Sequence, residues 1–219
     1  MLRILFEDQS IIVVEKPAGV ESQAVHGFGA DMVSEIRKHI HKLSPEDRGL
    51  YVGVIHRLDK PVQGVMVYAK TKKAAAALSK QVQDGRMKKT YLAIVCGKPV
   101  DNVGNYVDYL LKDGKNNHTK IVEKGITGAK RSELEYKVLK TAVISGKEFS
   151  LVEIRLLTGR HHQIRVQMAG HGTPVAGDRK YGIVDERQER LCLCAAGLSF
   201  FHPDTGKKLS FSIQPSWEF

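Results

Sequence analysis

The 219-residue sequence contains only three cysteines and one tryptophan. Cys96, Cys192 and Cys194 form neither an even disulfide framework nor a Cys-x-x-Cys pair, which argues against a disulfide-stabilised scaffold and a cysteine-based zinc site. Cys192 and Cys194 alternate with leucines, so a strand would place both on one face. We therefore expect these two cysteines to be small buried side chains.

Long apolar runs and internal repeats are also missing. Asp8 interrupts the apolar start of the chain before it reaches signal-peptide length, and no run approaches the roughly 20 residues that span a bilayer. We therefore expect a cytoplasmic protein that is not inserted in a membrane. With 42% hydrophobic and 26% charged residues, the composition is typical of a globular protein, and we predict one domain over residues 1–219.

The balance of charge favours a polyanionic partner. Lysine and arginine together number 34, against 24 aspartate and glutamate residues, which gives a formal net charge of +10. Such an excess attracts nucleic acid at long range, and binding releases counterions, but many basic proteins bind no nucleic acid. Charge alone leaves nucleic-acid binding and mere solubility as equal alternatives.

Strands outnumber helices in the predicted secondary structure. Apolar residues at helical spacing predict a helix over 31–43 that is capped by Asp31, and Thr71 can cap an alanine-rich helix that ends before Gly85. A third helical segment begins near Thr158. These helices do not alternate regularly with strands, which predicts an α+β fold with a mixed, largely antiparallel sheet. The predicted strands are Leu2–Phe6, Ile11–Glu15, Tyr51–Ile55, Gly64–Ala69, Lys89–Cys96, Glu133–Leu139, Phe149–Leu156, Leu191–Phe201 and Lys208–Ile213.

A polar loop follows the apolar strand that ends near Ile55. There, Asp59 is bracketed by Arg57 and Lys60, and neighbouring cations favour the ionised, nucleophilic form of a carboxylate. Loops on a rigid sheet commonly carry catalytic groups, although an aspartate followed by a lysine is equally ordinary at a surface turn. From this segment alone, the surface turn is the simpler interpretation of Asp59.

Motifs that occur in order along nearly the whole chain resemble the RluA-like pseudouridine synthases. A single short motif recurs by chance, but agreement of several in the right order is specific. The motifs are Glu15-Lys16-Pro17-Ala18-Gly19; His56-Arg57-Leu58-Asp59 with Gly64-Val65-Met66-Val67 and Ala69-Lys70; Lys89-Thr90-Tyr91-Leu92-Ala93; Thr158-Gly159-Arg160-His161-His162-Gln163-Ile164-Arg165; Gly177-Asp178 with Tyr181-Gly182; and Leu198-Ser199-Phe200 with His202-Pro203 and Thr205-Gly206.

The resemblance implies a central mixed sheet with flanking helices and a basic catalytic cleft. It also implies conversion of specific uridines to pseudouridine in a structured RNA, commonly ribosomal or transfer RNA, without a cofactor or metal. Because the motifs begin before residue 20, we expect no separate N-terminal RNA-binding domain, and nothing demands more than a monomer.

Pseudouridine formation requires the base to leave the sugar, rotate and rejoin through carbon. A carboxylate can assist as a nucleophile on the sugar or as a base that removes a sugar proton. By resemblance, Asp59 takes this role, and the sequence leaves both mechanisms open.

The same resemblance assigns catalytic roles to Tyr91 and Arg165. Arg165 is the candidate cation that pairs with Asp59, because a guanidinium offers a rigid fork to a carboxylate. Arg160 competes for this role, and either arginine also suits an RNA phosphate. Tyr91 would offer a ring face to the flipped uracil and a hydroxyl for late proton transfer, although periodicity alone favours a core tyrosine.

Arg57, His56, Arg160 and Lys89 are the predicted substrate-binding residues. A uridine must leave its stack to reach a pocket, at a cost of a few kcal/mol, and Arg57 is expected to insert into the vacated RNA. A structural salt bridge is the alternative for Arg57, and ordering of the loop is the alternative for His56. Phosphate contact or a solvated helix face is expected of the lysines near the second helix, which are Lys70, Lys72, Lys73, Lys80, Lys88 and Lys89.

A histidine-rich stretch holds His161, His162 and His171. It lacks a companion carboxylate or cysteine set of metal-site spacing, so packing or RNA contact is expected instead of a metal.

Three departures from the family pattern bear on activity and target choice. Pro61-Val62-Gln63 replaces a small hydroxyl pair after the aspartate, while Gln167 and Cys194 stand where histidines are common. With the aspartate, tyrosine and arginine intact, we predict an active enzyme. The alternatives are a non-catalytic RNA-binding or assembly protein that retains the synthase fold, and a basic interaction module without RNA chemistry. Asp101–Gly128, rich in Gly, Asn and Lys, is expected to be an exposed insertion that helps to recognise the target RNA.

Overall fold

The computed structural model contains strands and helices largely where the sequence predicts them, and the α+β class is confirmed. Among the residues described, no helix is long and apolar enough to cross a membrane. The described residues are 2–24, 31–46, 49–182 and 190–219.

The chain forms two compact units. The first is drawn from Met1–Lys89 and Ala195–Ser216, and the second from Thr90–Cys194 and Trp217–Phe219. The single domain expected over residues 1–219 stays a prediction.

The first unit combines antiparallel strands with two helices. Strand β2 pairs with β1 on one side and with β4 on the other, β3 pairs with β4, β10 neighbours β4, and β11 pairs with β10. These elements are β1 (Arg3–Glu7), β2 (Ile11–Lys16), α1 (Met32–Leu43), β3 (Gly53–Val54), β4 (Gln63–Ala69), α2 (Lys72–Gln83), most of β10 (Leu193–Phe201) and β11 (Lys208–Ser212).

Burial and helix capping organise this unit. All seven residues of β4 are buried, so both faces of that strand are covered. Helix α1 begins where the carboxylate of Asp31 accepts the Val33 and Ser34 N–H groups, and α2 begins where the hydroxyl of Thr71 accepts the Ala74 N–H. Both predicted caps are confirmed.

The second unit is an antiparallel sheet with strand order β5-β9-β8-β6-β7, and one helix packs against β6 and β7. On one face, Tyr91, Ile154 and Tyr136 are opposite one another on adjacent strands, and all three are buried. These elements are most of β5 (Lys88–Cys96), β6 (Val103–Asp113), β7 (His118–Val122), β8 (Lys130–Ile144), β9 (Lys147–Leu156) and α3 (Gln163–Gly170). Both Cys192 and Cys194 are buried, as predicted.

The segment Asp101–Gly128 is exposed over most of its length, as expected, but it is not an irregular loop. Most of it forms the β6–β7 hairpin, and β6 pairs with β8 along its other edge. Its composition conceals an alternation of period two, in which Val103 and Val107 are exposed while Leu110 is buried.

The third helix begins at Gln163 and not near Thr158. His162 adopts a left-handed conformation (φ 53), which an α-helix does not accommodate. The side-chain carbonyl of Gln163 accepts hydrogen bonds from the Thr158 hydroxyl and the Arg160 N–H, at 2.8 and 2.9 Å, which holds the preceding residues in a loop.

Gly64 permits a close approach between β4 and β10. A Cβ at this position would collide with the side chain of Ala195 and would lie 2.9 Å from both the Ala195 carbonyl oxygen and Leu58 Cδ1. Leu58 belongs to the loop that carries Asp59, so a side chain at position 64 would also press against that loop.

We expect Gly64→Ala to lower the free energy of unfolding by about 1 to 3 kcal/mol, because the backbone around it must shift. Gly114→Ala is the matched control: a Cβ added at Gly114 would have no atom within 4 Å, and we expect a change of less than about 0.5 kcal/mol. Denaturant unfolding measures both, and equal stabilities of the two variants would contradict the close approach.

Candidate active site

Asp59 lies in the loop between β3 and β4, and hydrogen bonds fix the backbone of this loop. The buried Ser22 hydroxyl accepts the Leu58 N–H at 3.0 Å and donates to the Leu58 carbonyl at 2.9 Å. The Val62 N–H donates to the Asp59 carbonyl at 3.0 Å and closes the turn. The position of the Asp59 backbone is therefore set from both sides.

Lys16, at the end of β2, also anchors the loop that carries Asp59. Its side chain is fully buried, and Nζ donates to the carbonyl oxygens of Pro17, Val20 and Lys60, at 2.9, 2.6 and 3.1 Å. An ammonium has three N–H donors, so these bonds use all of them. The carbonyl of Lys60 also accepts the Gly19 N–H at 2.8 Å, which ties the first Lys-Pro turn to the residue after Asp59.

The charge of Lys16 is coupled to Asp59. Burial lowers the pKa of Lys16 to about 8, and the nearby Asp59 carboxylate opposes part of this effect. Lys16 therefore remains mainly protonated at neutral pH. The sequence pointed to Arg57 and Lys60 as the bracketing cations, but Arg57 is exposed and Lys60 lies 3.7 Å from Glu21.

His56 is placed to order the loop. It is buried, and burial, with a smaller contribution from the charge of Lys89, lowers the pKa of its imidazole to about 3. The neutral ring accepts the Val67 N–H through Nε2 at 3.3 Å, which leaves the proton on Nδ1. This geometry favours the ordering role over an acid or base role.

The departure Pro61-Val62-Gln63 forms a well-bonded turn. Val62 is buried, and the amide of Gln63 donates to Glu15 at 2.7 Å while its carbonyl accepts the Ser216 N–H at 2.9 Å. These bonds give the turn its own set of contacts in place of the usual hydroxyl pair.

Gln167, the second departure from the family pattern, is also hydrogen-bonded. It is buried, and its amide donates to the Asp108 carboxylate at 2.6 Å.

In the second unit, Tyr91 and Arg165 are both buried. Tyr91 lies on β5 opposite Ile154, which agrees with its alternative interpretation as a strand residue of the core. Arg165 makes a bidentate ion pair with Asp178, in which Nε lies 2.7 Å from Oδ2 and Nη2 lies 2.7 Å from Oδ1. Two parallel bonds fix the plane of the guanidinium.

Asp178 is itself held by a tight turn. Its Oδ1 also accepts the N–H groups of Lys180 and Tyr181, at 2.9 and 3.2 Å. Burial opposes ionisation, but the bonds and charge of Arg165 outweigh it and hold the pKa of Asp178 below its usual range. Gly177 (φ 73) is required in this turn, because a Cβ there would collide with the backbone of Arg190.

Arg160 differs from Arg165 in its surroundings. Its side chain is exposed, and its Nε donates to the Arg131 carbonyl at 3.0 Å. A phosphate contact therefore suits Arg160 better than a buried catalytic role. Asp59 and Arg165 belong to different units, and their pairing stays a prediction.

The histidines of the basic region are hydrogen-bonded within the second unit. His161 Nδ1 pairs with the Thr119 hydroxyl at 2.7 Å, His162 Nδ1 pairs with the Tyr181 hydroxyl at 2.7 Å, and His171 Nε2 lies 3.1 Å from Asp108. In the part of the chain that the structure describes, no group of three or more metal-ligating side chains is arranged to hold a metal ion.

The predicted phosphate-contacting lysines have unequal surroundings. Lys70 is largely buried and lies 2.7 Å from Glu7, while the exposed Lys73 lies 3.2 Å from Asp204. Burial lowers the pKa of Lys89. Lys72, Lys80 and Lys88 are also exposed, which suits a contact with RNA phosphates.

The roles of Lys16, Ser22, Asp178 and Tyr181 were not predicted. For Lys16, the available signal is its position at the end of an apolar strand. Its motif by itself indicates only a turn. The glycines around Asp178 and Tyr181 indicate a tight turn, but they do not show that it holds Arg165. No local pattern around Ser22 predicts its contacts with Leu58.

We expect Asp178→Asn to lower the free energy of unfolding at pH 7 by about 3 to 5 kcal/mol, because a buried guanidinium loses its charge partner. The folded-state pKa of Asp178 lies below the unfolded value, so its contribution is complete above about pH 4 and is lost as the pH falls toward the folded value. Denaturant unfolding at several pH values measures the difference. The exposed Asp101→Asn is the control, and a pH-independent difference for Asp178→Asn would contradict the ion pair.

Comparison with known proteins connects these elements to a family. A profile described as RNA pseudouridylate synthase matches residues 10–170. The ribosomal large subunit pseudouridine synthase D of Zymomonas mobilis is 34% identical, over 97% of this chain and 69% of that protein. The ribosomal large subunit pseudouridine synthase C of Escherichia coli is 36% identical, over 93% of this chain and 63% of that protein.

A solved structure, human RNA pseudouridylate synthase domain containing 1, is similar in fold. Its TM-score is 0.77 at 25% identity, over 98% of this chain and 84% of that one. The profile includes the Asp59 loop and the helix of Arg165, and the sequence relatives extend over nearly the whole chain. The protein belongs to the RluA-like family of RNA pseudouridylate synthases.

Proposed function

We propose that the protein isomerises specific uridines of large-subunit ribosomal RNA to pseudouridine, with Asp59 as the central catalytic residue. The observation that carries the proposal is the Asp59 loop, which matches the family motif and is held by the buried, charged Lys16. The names of the bacterial relatives support ribosomal RNA as the substrate, and transfer RNA is the alternative.

The reaction breaks the bond between C1′ of the ribose and N1 of uracil and forms a bond between C1′ and C5. The proton on C5 is lost and N1 gains one, so the product is an isomer and no outside reactant is consumed. Asp59 either attacks the ribose as a nucleophile or removes a ribose proton. In both routes the loop must hold one carboxylate still while the base rotates, which the contacts of Ser22 and Lys16 favour.

Tyr91 and Arg165 complete the proposed catalytic set. Tyr91 would stack on the detached uracil and assist proton transfer, and Arg165 would pair with the carboxylate of Asp59. The family resemblance supports this pairing, and the fixed guanidinium of Arg165 supports its choice over the exposed Arg160.

RNA contacts are proposed for Arg57, Arg160 and Lys89. Arg57 is exposed and adjacent to the catalytic loop, so its flat cation can enter the space that the flipped uridine leaves. Exposure likewise supports a phosphate contact for Arg160. Action in the cytoplasm as a monomer without a cofactor remains part of the proposal.

We expect Asp59→Asn to abolish pseudouridine formation, with a loss of at least about a thousandfold in rate, because an amide is neither a nucleophile nor a base here. The assay incubates the protein with ribosomal and transfer RNA that lack pseudouridine and maps the product by mass spectrometry. Asp101→Asn, an exposed carboxylate, is the matched control and should be fully active.

Each outcome discriminates among the alternatives. Product in ribosomal RNA that disappears only with Asp59→Asn supports the proposal, whereas product confined to transfer RNA overturns the substrate. RNA binding without product from the unmodified protein would favour the non-catalytic RNA-binding protein.

A further inference from the structure

Tyr181 occupies a junction between Arg165 and the β6–β7 hairpin. The guanidinium carbon of Arg165 lies 5.2 Å from the centroid of the Tyr181 ring, within the range of a cation–π contact. The centroid of the His118 ring, on the first residue of β7, lies 4.5 Å from that of Tyr181. One aromatic side chain therefore contacts both the cation and the hairpin.

The hydroxyl of Tyr181 fastens this junction. It accepts the backbone N–H of Thr119 at 3.0 Å and pairs with Nδ1 of His162 at 2.7 Å. A phenol can accept one bond and donate another, so a neutral His162 with its proton on Nε2 completes the arrangement. Burial raises the pKa of Tyr181, so the hydroxyl keeps its proton.

Neighbouring contacts fasten the hairpin to the same region. The hydroxyl of Thr119 pairs with His161 Nδ1 at 2.7 Å, and Asn117 Oδ1 pairs with His161 Nε2 at 2.9 Å. The ammonium of Lys180 donates to the Asn117 carbonyl at 2.8 Å. The turn that holds Asp178 and the loop before α3 are thus both bonded to the hairpin.

We infer that Tyr181 is a positioning residue, whose ring supports the guanidinium of Arg165 and whose hydroxyl ties that support to the β6–β7 hairpin. The inference rests on the proposed function, because it assigns Arg165 to the reaction. The hairpin carries the exposed lysines Lys112, Lys115 and Lys120, which suit RNA phosphates. Through Tyr181, the element that meets the RNA also holds the catalytic cation in place.

The test measures single-turnover pseudouridine formation and RNA affinity on unmodified, transcribed large-subunit ribosomal RNA. Tyr181→Phe keeps the ring and removes the hydroxyl, which leaves the Thr119 N–H and His162 without their partner. We expect the rate constant to fall about tenfold while the RNA dissociation constant stays within about twofold. Tyr181→Leu, which also removes the ring, should lower the rate constant further.

Tyr109→Phe is the matched control. Tyr109 lies on β6 opposite Val122, and strand alternation places it on the face of the hairpin opposite to Thr119. It should react at the unmodified rate. Circular dichroism and thermal unfolding establish that each variant is folded at the assay temperature, and a purely structural role would lower the melting temperature without changing the rate constant.

Thr119→Val provides a second variant that leaves Tyr181 intact. It removes the Thr119 hydroxyl, which bonds His161 and also interacts with the Tyr181 hydroxyl, but it keeps the Thr119 N–H that Tyr181 accepts. It should lower the rate constant in a way that is not additive with Tyr181→Phe, because both changes loosen one attachment. Should Tyr181→Phe not fold, an unchanged rate in Thr119→Val overturns the inference.

The remaining outcomes separate this inference from the proposed function. If the unmodified protein forms no pseudouridine, the proposed function fails. If that protein is active and Tyr181→Phe matches it in rate, the inference fails and the function stands. A loss confined to RNA affinity would make Tyr181 an RNA-binding residue and would also overturn the inference.

Discussion

A buried ammonium at the end of β2 is the constraint on which the Asp59 loop depends. Removing Lys16 from water is costly, and its three hydrogen bonds to the carbonyls of Pro17, Val20 and Lys60 offset that cost. These bonds join the first turn of the chain to the residue that follows Asp59. The same charge acts on the carboxylate of Asp59, so one side chain supplies both the geometry and the electrostatics of the loop.

The second unit also fixes a buried cation, but its partner is a carboxylate instead of backbone carbonyls. There, a buried guanidinium is fixed by the carboxylate of Asp178, and the turn that presents Asp178 also presents Tyr181. Buried charges are poor sources of net stability, but hydrogen bonds of fixed geometry restrict the orientation of a buried charge. A reaction that separates a base from its sugar needs groups that are fixed in this way.

Much of the fold and of the site could be predicted from local patterns. Helical spacing and capping located the helices that begin after Asp31 and Thr71. The order of the motifs singled out Asp59, Tyr91 and Arg165, whose catalytic roles stay predictions. The β6–β7 hairpin was missed because Gly, Asn and Lys conceal its alternation. Long-range contacts were missed for a different reason. Lys60, one of the three partners of Lys16, lies 44 positions away, and Asp178, the partner of Arg165, lies 13 positions away, and no helical or strand period marks these separations.

The most direct test of this electrostatic account is an NMR titration of Lys16 with isotopically labelled lysine side chains. The account predicts that Lys16 titrates with a pKa of about 8, and that Asp59→Asn lowers this pKa further, because the supporting carboxylate charge is gone. A Lys16 pKa near the ordinary 10.5, or one that Asp59→Asn leaves unchanged, would contradict a buried cation coupled to Asp59.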